Sequence, residues 1–172
     1  QYGGFVEIKI NKKEKYTVKK HSASKNLKKV INNNLILVYS HQKRDSSKLI
    51  LSQKKNSKDI VKYYDKIKSL NKSFIKSVKE KNITKIGKIF DYHWSIKKKL
   101  ANDITNKKLN KFYEYLLKNF EFTGGKLIGA GGGGFFLMST KTLKKTTDKL
   151  KKKKVNFIDL SFDPKGSRII EN

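Results

Sequence analysis

The residues best suited to chemistry form a glycine-rich run, Gly129-Ala-Gly-Gly-Gly-Gly134, between two apolar segments. Successive residues without a Cβ can adopt positive φ and turn several backbone N–H groups toward one point, which makes a site for an anion. They also let a substrate or a neighbouring loop approach the backbone closely. The alternative is a flexible hairpin turn, but a turn needs only one or two glycines. The run therefore favours a functional loop.

Two phosphate-binding motifs are excluded by the context of this loop. Gly129, Gly131 and Gly134 have the G-x-G-x-x-G spacing of dinucleotide-binding folds, in which a helix must start directly after the glycines. Here Phe135-Phe-Leu-Met138 follows, and it predicts a strand. A P-loop is excluded because no Gly-Lys-Ser/Thr follows a glycine at the required spacing.

The charge of the chain is extreme but says little about a partner. There are 42 Lys+Arg against 14 Asp+Glu, which gives a formal net charge of +28. All but two of these cations are Lys, and only Arg44 and Arg168 carry the forked guanidinium that phosphate and base recognition favours. The lysines also occur in almost every segment. We therefore predict a dispersed, solvated charge and no nucleic-acid partner. A non-enzymatic basic α+β module that binds RNA or another polyanion remains the alternative.

Composition excludes several further classes. With 36% hydrophobic and 11% aromatic residues in 172, the chain has enough apolar material for a core. It has no cysteine, which excludes disulfides, thiolate metal sites and cysteine nucleophiles, and we predict no metal site. The longest apolar run, Leu35–Tyr39, is far shorter than the roughly 20 residues of a membrane span. No signal peptide is recognised, so we predict no membrane partner and a cytoplasmic location. The chain starts at Gln1 and its one methionine is Met138, so we expect a fragment.

The elements that must position the loop follow from hydrophobic periodicity. Alternation predicts strands at 4–10 and 16–20, and apolar runs predict strands at 35–39 and on both sides of the glycines. Helical spacing predicts single helices at 24–32, 83–100, 109–119 and 142–153. It also predicts two helices within 46–80, with a break near Asn56. Strands are predicted at 155–160 and 168–170. In helix 109–119 we expect Phe112, Tyr115 and Leu116 to face inward. The order predicts an α+β fold with helices packed on an antiparallel sheet.

The segment Gly124-Gly-Lys-Leu-Ile-Gly-Ala-Gly-Gly-Gly-Gly-Phe-Phe-Leu-Met138 resembles the C-terminal glycine motif of the galactokinase–homoserine kinase–mevalonate kinase–phosphomevalonate kinase (GHMP) superfamily, and within it that of the D-glycero-D-manno-heptose 7-phosphate kinases. Shorter stretches resemble the same family in the same order. They are residues 1–5, 37–40, 44–53, His93-Trp94 with Lys97, Lys98 and Leu100, and residues 166–170.

The resemblance implies a sugar kinase that transfers the γ-phosphoryl of ATP, with Mg²⁺, to the anomeric hydroxyl of a sugar phosphate, heptose 7-phosphate. It implies that residues 1–40 are a remnant of the N-terminal kinase domain and that 41–172 form the ferredoxin-like C-terminal domain. The main nucleotide loop and the catalytic acidic residue would lie upstream of Gln1, so this chain alone is expected to be inactive.

The resemblance also assigns site residues. ATP or substrate would contact the loop glycines, and Arg44 and Lys126 are candidates for a substrate phosphate. The glycines are Gly129, Gly131, Gly132, Gly133 and Gly134. We expect His93 and Trp94 to form a packed helix pair more readily than catalytic machinery. The oligomeric state stays open.

Overall fold

The computed structural model describes residues 2–21, 24–43 and 59–167, and the elements below lie in these ranges. In chain order they are β1 (Val6–Ile10), β2 (Tyr16–Lys20), α1 (Ser24–Asn34), β3 (Leu35–Tyr39), α2 (Asp59–Lys79), α3 (Ile83–Lys97), a short 3-10 helix (Asn102–Ile104), α4 (Lys107–Asn119), β4 (Phe122–Leu127), β5 (Phe135–Thr140), α5 (Leu143–Lys152) and β6 (Phe157–Asp159).

Four strands form an antiparallel sheet in the order β4-β5-β3-β6, and β1 and β2 form a separate antiparallel hairpin. The register pairs Leu37 of β3 with Leu137 of β5 and with Ile158 of β6. The predicted α+β fold with helices on an antiparallel sheet is confirmed. Because β3 pairs inside the four-stranded sheet, residues 35–39 share a sheet with the strands around the glycine loop. The division of the chain at residue 40 stays a prediction.

Both faces of this sheet carry a hydrophobic cluster. Ile36, Val38, Phe136 and Met138 are buried on one face, where they pack with α4, α5 and Trp94. The other cluster joins side chains of α1, α2 and α3 to the sheet: Leu27, Val30, Leu35, Val78, Ile86 and Phe90. Since α3 supplies Ile86 and Phe90 to one cluster and Trp94 to the other, this helix connects the two.

The predicted helices agree with the structure within a few residues at most ends. Asn106 caps the start of α4, where its side-chain oxygen accepts the Leu109 N–H at 2.9 Å. The prediction that Tyr115 faces inward is wrong, because Tyr115 is exposed and Tyr113 is buried in its place. The break near Asn56 and the strand at 168–170 lie outside the described residues. Within the described ranges, no helix is long and apolar enough to cross a membrane.

The contact between α3 and β4 is made by backbone. Gly87 lies in the middle of α3, and a Cβ there would come within 3.0 Å of Thr123. A Cβ on Gly124, whose φ is +146°, would come equally close to the Gly87 carbonyl group. The hydroxyls of Thr123 and Ser139 bond each other at 2.6 Å and both lie 3.3 Å from the Ile83 carbonyl oxygen. Glycine at both positions lets the helix lie directly on the strand.

We expect Gly87→Ala to destabilise the protein by about 1–3 kcal/mol, since overpacking forces the helix away from the strand. Helix propensity alone predicts the opposite, a gain of about 1 kcal/mol from glycine to alanine. Urea unfolding measures the difference, and Lys88→Ala, on the exposed side of the same helix, is the control, with a change of about 0.5 kcal/mol or less. A stabilised Gly87→Ala variant would contradict the packing account.

Candidate active site

The glycine loop joins β4 to β5 and uses backbone angles that side chains disfavour. Its φ angles are +75° at Gly129, +122° at Gly131, +71° at Gly132 and +94° at Gly134. All four values lie in the region where a Cβ is strained. The loop conformation therefore depends on glycine at these positions.

Neighbouring backbone on two sides holds the loop. The Gly132 N–H donates to the Ile104 carbonyl at 2.9 Å, and the Gly134 N–H donates to the Gln42 carbonyl at 2.9 Å. A Cβ on Gly133 would come within 3.0 Å of that Gln42 oxygen, and one on Gly131 would lie 3.0 Å from the Cα of Ile104. The close approach of the backbone at Gln42 and Ile104 is thus one reason why glycine is needed at these positions.

The same contacts divide the N–H groups of the loop into two sets. Those of Gly132 and Gly134 are bonded to protein carbonyls and do not point at a common anion. Within the described part of the chain, the structure gives the N–H groups of Gly131 and Gly133 no protein acceptor. An anion site at this loop would therefore use alternate residues and not the whole run.

The end of α3 reaches the start of the loop. The Lys97 ammonium donates a hydrogen bond to the Gly129 carbonyl oxygen. One residue later, the Lys98 ammonium lies 5.8 Å from the centre of the Trp94 ring. Trp94 itself is buried and packs edge-on against Phe136 at 6.0 Å. Lys97 thus fixes the loop, and Trp94 belongs to the core.

Lys126 and His93 lie together in a cleft of about 380 Å³ between α2 and α3. The Lys126 ammonium is 5.3 Å from the centre of the Phe90 ring, and burial lowers the pKa of this lysine. Burial, helped by the positive charges of Lys126 and Lys97, lowers the pKa of His93 to about 4. His93 is therefore neutral near pH 7. Lys126, predicted for a substrate phosphate, faces this cleft.

Tyr113 of α4 connects α3 to β4, a role that no sequence pattern indicated. Its hydroxyl lies 2.9 Å from the Asp91 carboxylate on α3 and accepts the Gly125 N–H of β4 at 2.9 Å. Burial and the neighbouring carboxylate raise the pKa of this phenol well above its usual range. Tyr113 thus holds α3, α4 and β4 in one arrangement just before the loop.

Other candidates lie elsewhere. Arg44 falls outside the described residues, so its assignment to a substrate phosphate stays a prediction. A surface depression of about 820 Å³ lies along α5, where four of its eight lining residues are exposed lysines. Glu121 at its edge bonds Lys145 at 2.5 Å and Thr142 at 2.8 Å. These contacts fix the start of α5 and bring no loop residue to the depression. Among the described residues, no group of three or more His, Asp or Glu is placed to hold a metal ion.

We expect stability to fall as the pH drops from about 6.5 to about 4, because unfolded His93 binds a proton in this range and the folded, buried one does not. Thermal unfolding across this range measures the slope, and His93→Gln is expected to reduce it. His41→Gln is the control, since His41 is exposed. An NMR titration of His93 with a midpoint near 6.5 would contradict this account.

Tyr113→Phe is expected to cost about 1–3 kcal/mol of unfolding free energy, because it leaves the Gly125 N–H and the Asp91 carboxylate without this partner. Tyr115→Phe removes the same hydroxyl from an exposed ring two residues away and is the matched control. Chemical denaturation of both variants gives the comparison. Equal stability of the two variants would show that the buried hydrogen bonds contribute nothing net.

No protein-family model matches the chain, and no curated protein matches it. Similar folds occur among solved structures. L. major mevalonate kinase is 14% identical with a TM-score of 0.70, over 95% of this chain and 50% of that one. A D-glycero-D-manno-heptose 1-phosphate kinase from Bacteriodes thetaiotaomicron is 12% identical with a TM-score of 0.65, over 99% and 47%. Lactococcus lactis galactokinase is 11% identical with a TM-score of 0.58, over 96% and 53%.

These similarities cover nearly all of this chain, which spans about half the length of each of these kinases. They agree with the resemblance of residues 124–138 to a glycine motif of the same superfamily. The chain shares its fold with about half of each of these solved kinases.

Proposed function

We propose that this chain is the C-terminal part of an ATP-dependent sugar kinase that transfers the γ-phosphoryl group to a sugar hydroxyl. The observation that carries the proposal is the fixed glycine loop at the end of β4, on a fold shared with small-molecule kinases. Phosphoryl transfer depends mainly on positioning and on charge stabilisation, and a rigid backbone surface supplies both. Residues 1–40 are, in this proposal, the end of the first kinase domain.

The loop residues have separate tasks in this proposal. Gly132 and Gly134 hold the loop against the protein, because their N–H groups are bonded to Ile104 and Gln42. Gly131 and Gly133 present their N–H groups to a phosphate oxygen or to the acceptor. With no side chain in the way, a substrate reaches the backbone directly. Lys97 holds Gly129 at the entrance to the loop.

The acceptor in this proposal is the anomeric hydroxyl of heptose 7-phosphate. Support comes from the glycine segment, which resembles that of heptose 7-phosphate kinases, and from a heptose 1-phosphate kinase whose fold matches 99% of this chain. ATP would supply the phosphoryl group, with Mg²⁺ as its metal. Among the described residues no cluster of three or more His, Asp or Glu could hold a metal ion, and no ligand is assigned to Mg²⁺. We also propose a cytoplasmic location, where ATP is available.

The test uses the full-length protein that contains these residues and compares its activity toward different acceptors. With ATP and Mg²⁺ we expect phosphorylation of heptose 7-phosphate at its anomeric oxygen, detected by ³¹P NMR, and at least 100-fold lower kcat/KM with galactose or mevalonate. Gly133→Ala should lower kcat/KM by about 100-fold, because a Cβ displaces the loop from Gln42. Lys153→Ala, on the surface beyond α5, is the control and should leave kcat/KM unchanged.

The 172-residue chain alone is expected to phosphorylate none of these acceptors. Activity of the isolated chain would contradict the proposed division of labour between two domains. If the full-length protein phosphorylates none of the acceptors, this result contradicts the proposed kinase activity. Tight, strongly salt-dependent binding of single-stranded RNA at about 150 mM salt would support the polyanion-binding alternative instead.

A further inference from the structure

The cleft between α2 and α3 has mostly apolar walls. Ile67, Leu70 and Phe74 of α2 face Ile89 and Phe90 of α3 across a space of about 380 Å³. Four polar residues complete the lining: Lys68, Asn71, His93 and Lys126. Apolar walls with a few placed polar groups are typical of small-molecule sites. The apolar walls are poorly suited to a sugar, because its hydroxyl groups would exchange hydrogen bonds with water for contacts with hydrocarbon.

The charge at one end of this cleft lacks a counterion. Lys126 forms no salt bridge with a carboxylate among the described residues. Its ammonium lies over the Phe90 ring, 5.3 Å from the ring centre. A partly buried ammonium without an anion is costly, whereas one that gains an anionic partner is stabilised. Burial already lowers the pKa of this lysine. The end of the cleft at Lys126 is therefore complementary to a negative charge.

A second unsatisfied group lies beside this lysine. Nδ1 of His93 is buried and has no hydrogen-bond partner in the described part of the protein. Buried polar atoms are normally paired, and this nitrogen is an exception. A neutral imidazole can place its N–H on either nitrogen, so with Nδ1 buried, Nε2 is the atom that can donate to an oxygen of a bound anion. Lys126 and His93 together offer two donors at one place.

We infer that this cleft binds a small amphiphilic anion, with a carboxylate or phosphate head at Lys126 and His93 and an apolar tail between α2 and α3. The site is separate from the glycine loop, and the inference does not depend on the kinase proposal. Such a ligand would contact the polar end of the cleft with its head and the apolar walls with its tail. This explains why a lysine and a histidine lie in a cleft with apolar walls. Lys68 on α2 lines the same cleft and adds a further positive charge.

The first experiment needs no variant. The chain is titrated at about 150 mM salt with octanoate, octyl phosphate, 1-octanol and inorganic phosphate, by calorimetry and by the imidazole NMR signals of its three histidines. Octanoate or octyl phosphate should bind at least ten-fold more tightly than 1-octanol or inorganic phosphate and should shift the His93 signal selectively. The stronger of the two identifies the head group.

The second experiment uses charge variants. Lys126→Met keeps an apolar stem and removes the ammonium, and it should weaken binding of the preferred anion at least ten-fold without lowering the unfolding midpoint. Lys152→Met makes the same change on the exposed surface of α5 and should alter affinity less than two-fold. Equal loss in both variants would show non-specific charge attraction. Equal affinity for octanoate and 1-octanol, or shifts confined to His21 and His41, would also overturn the inference.

Discussion

The close backbone contact between α3 and β4 determines where the site residues lie. With Gly87 seated on Gly124, the helix and the strand run side by side from a common point. The ten residue steps from Gly87 to Lys97 rise about 15 Å along the helix, and the five steps from Gly124 to Gly129 extend about 17 Å. The two lengths match, which brings Lys97 beside Gly129 and allows their hydrogen bond. A bulkier residue at either glycine would displace the helix from the strand and change the position of Lys97 relative to Gly129.

The same contact explains the different surroundings of consecutive residues on α3. Trp94 turns toward Phe136 in the core, while His93 turns toward Lys126 in the cleft. Asp91 reaches Tyr113, whose hydroxyl also bonds Gly125. Because all three side chains stand on α3, a displacement of the helix would disturb their three contacts at once. The loop beyond β4 is then held by backbone hydrogen bonds to Ile104 and Gln42 and by the Lys97 ammonium.

Much of the architecture could be predicted from the sequence, because periodicity and turn residues act locally. The strand at 35–39 and the hairpin around the glycines are clear examples. Tyr115 was misplaced because it and Tyr113 both lie near the apolar stripe of α4, and only the position of β4 decides which ring is buried. The roles of Gln42 and Ile104 could not be predicted, since both act through backbone carbonyls that any residue supplies. A glycine inside a helical pattern, Gly87, was the one available signal for the helix–strand contact.

The charge of the chain shows why surroundings decide function more than residue type does. An exposed lysine in water interacts weakly with charges beyond about 8–10 Å, so most of the lysines act only as a diffuse positive surface. Lys126 differs because it lies in an apolar cleft beside an aromatic ring and an unpaired imidazole nitrogen. Lys97 differs because it is bonded to the loop backbone. No property of the lysine side chain separates these two from the rest, and only their burial and partners do.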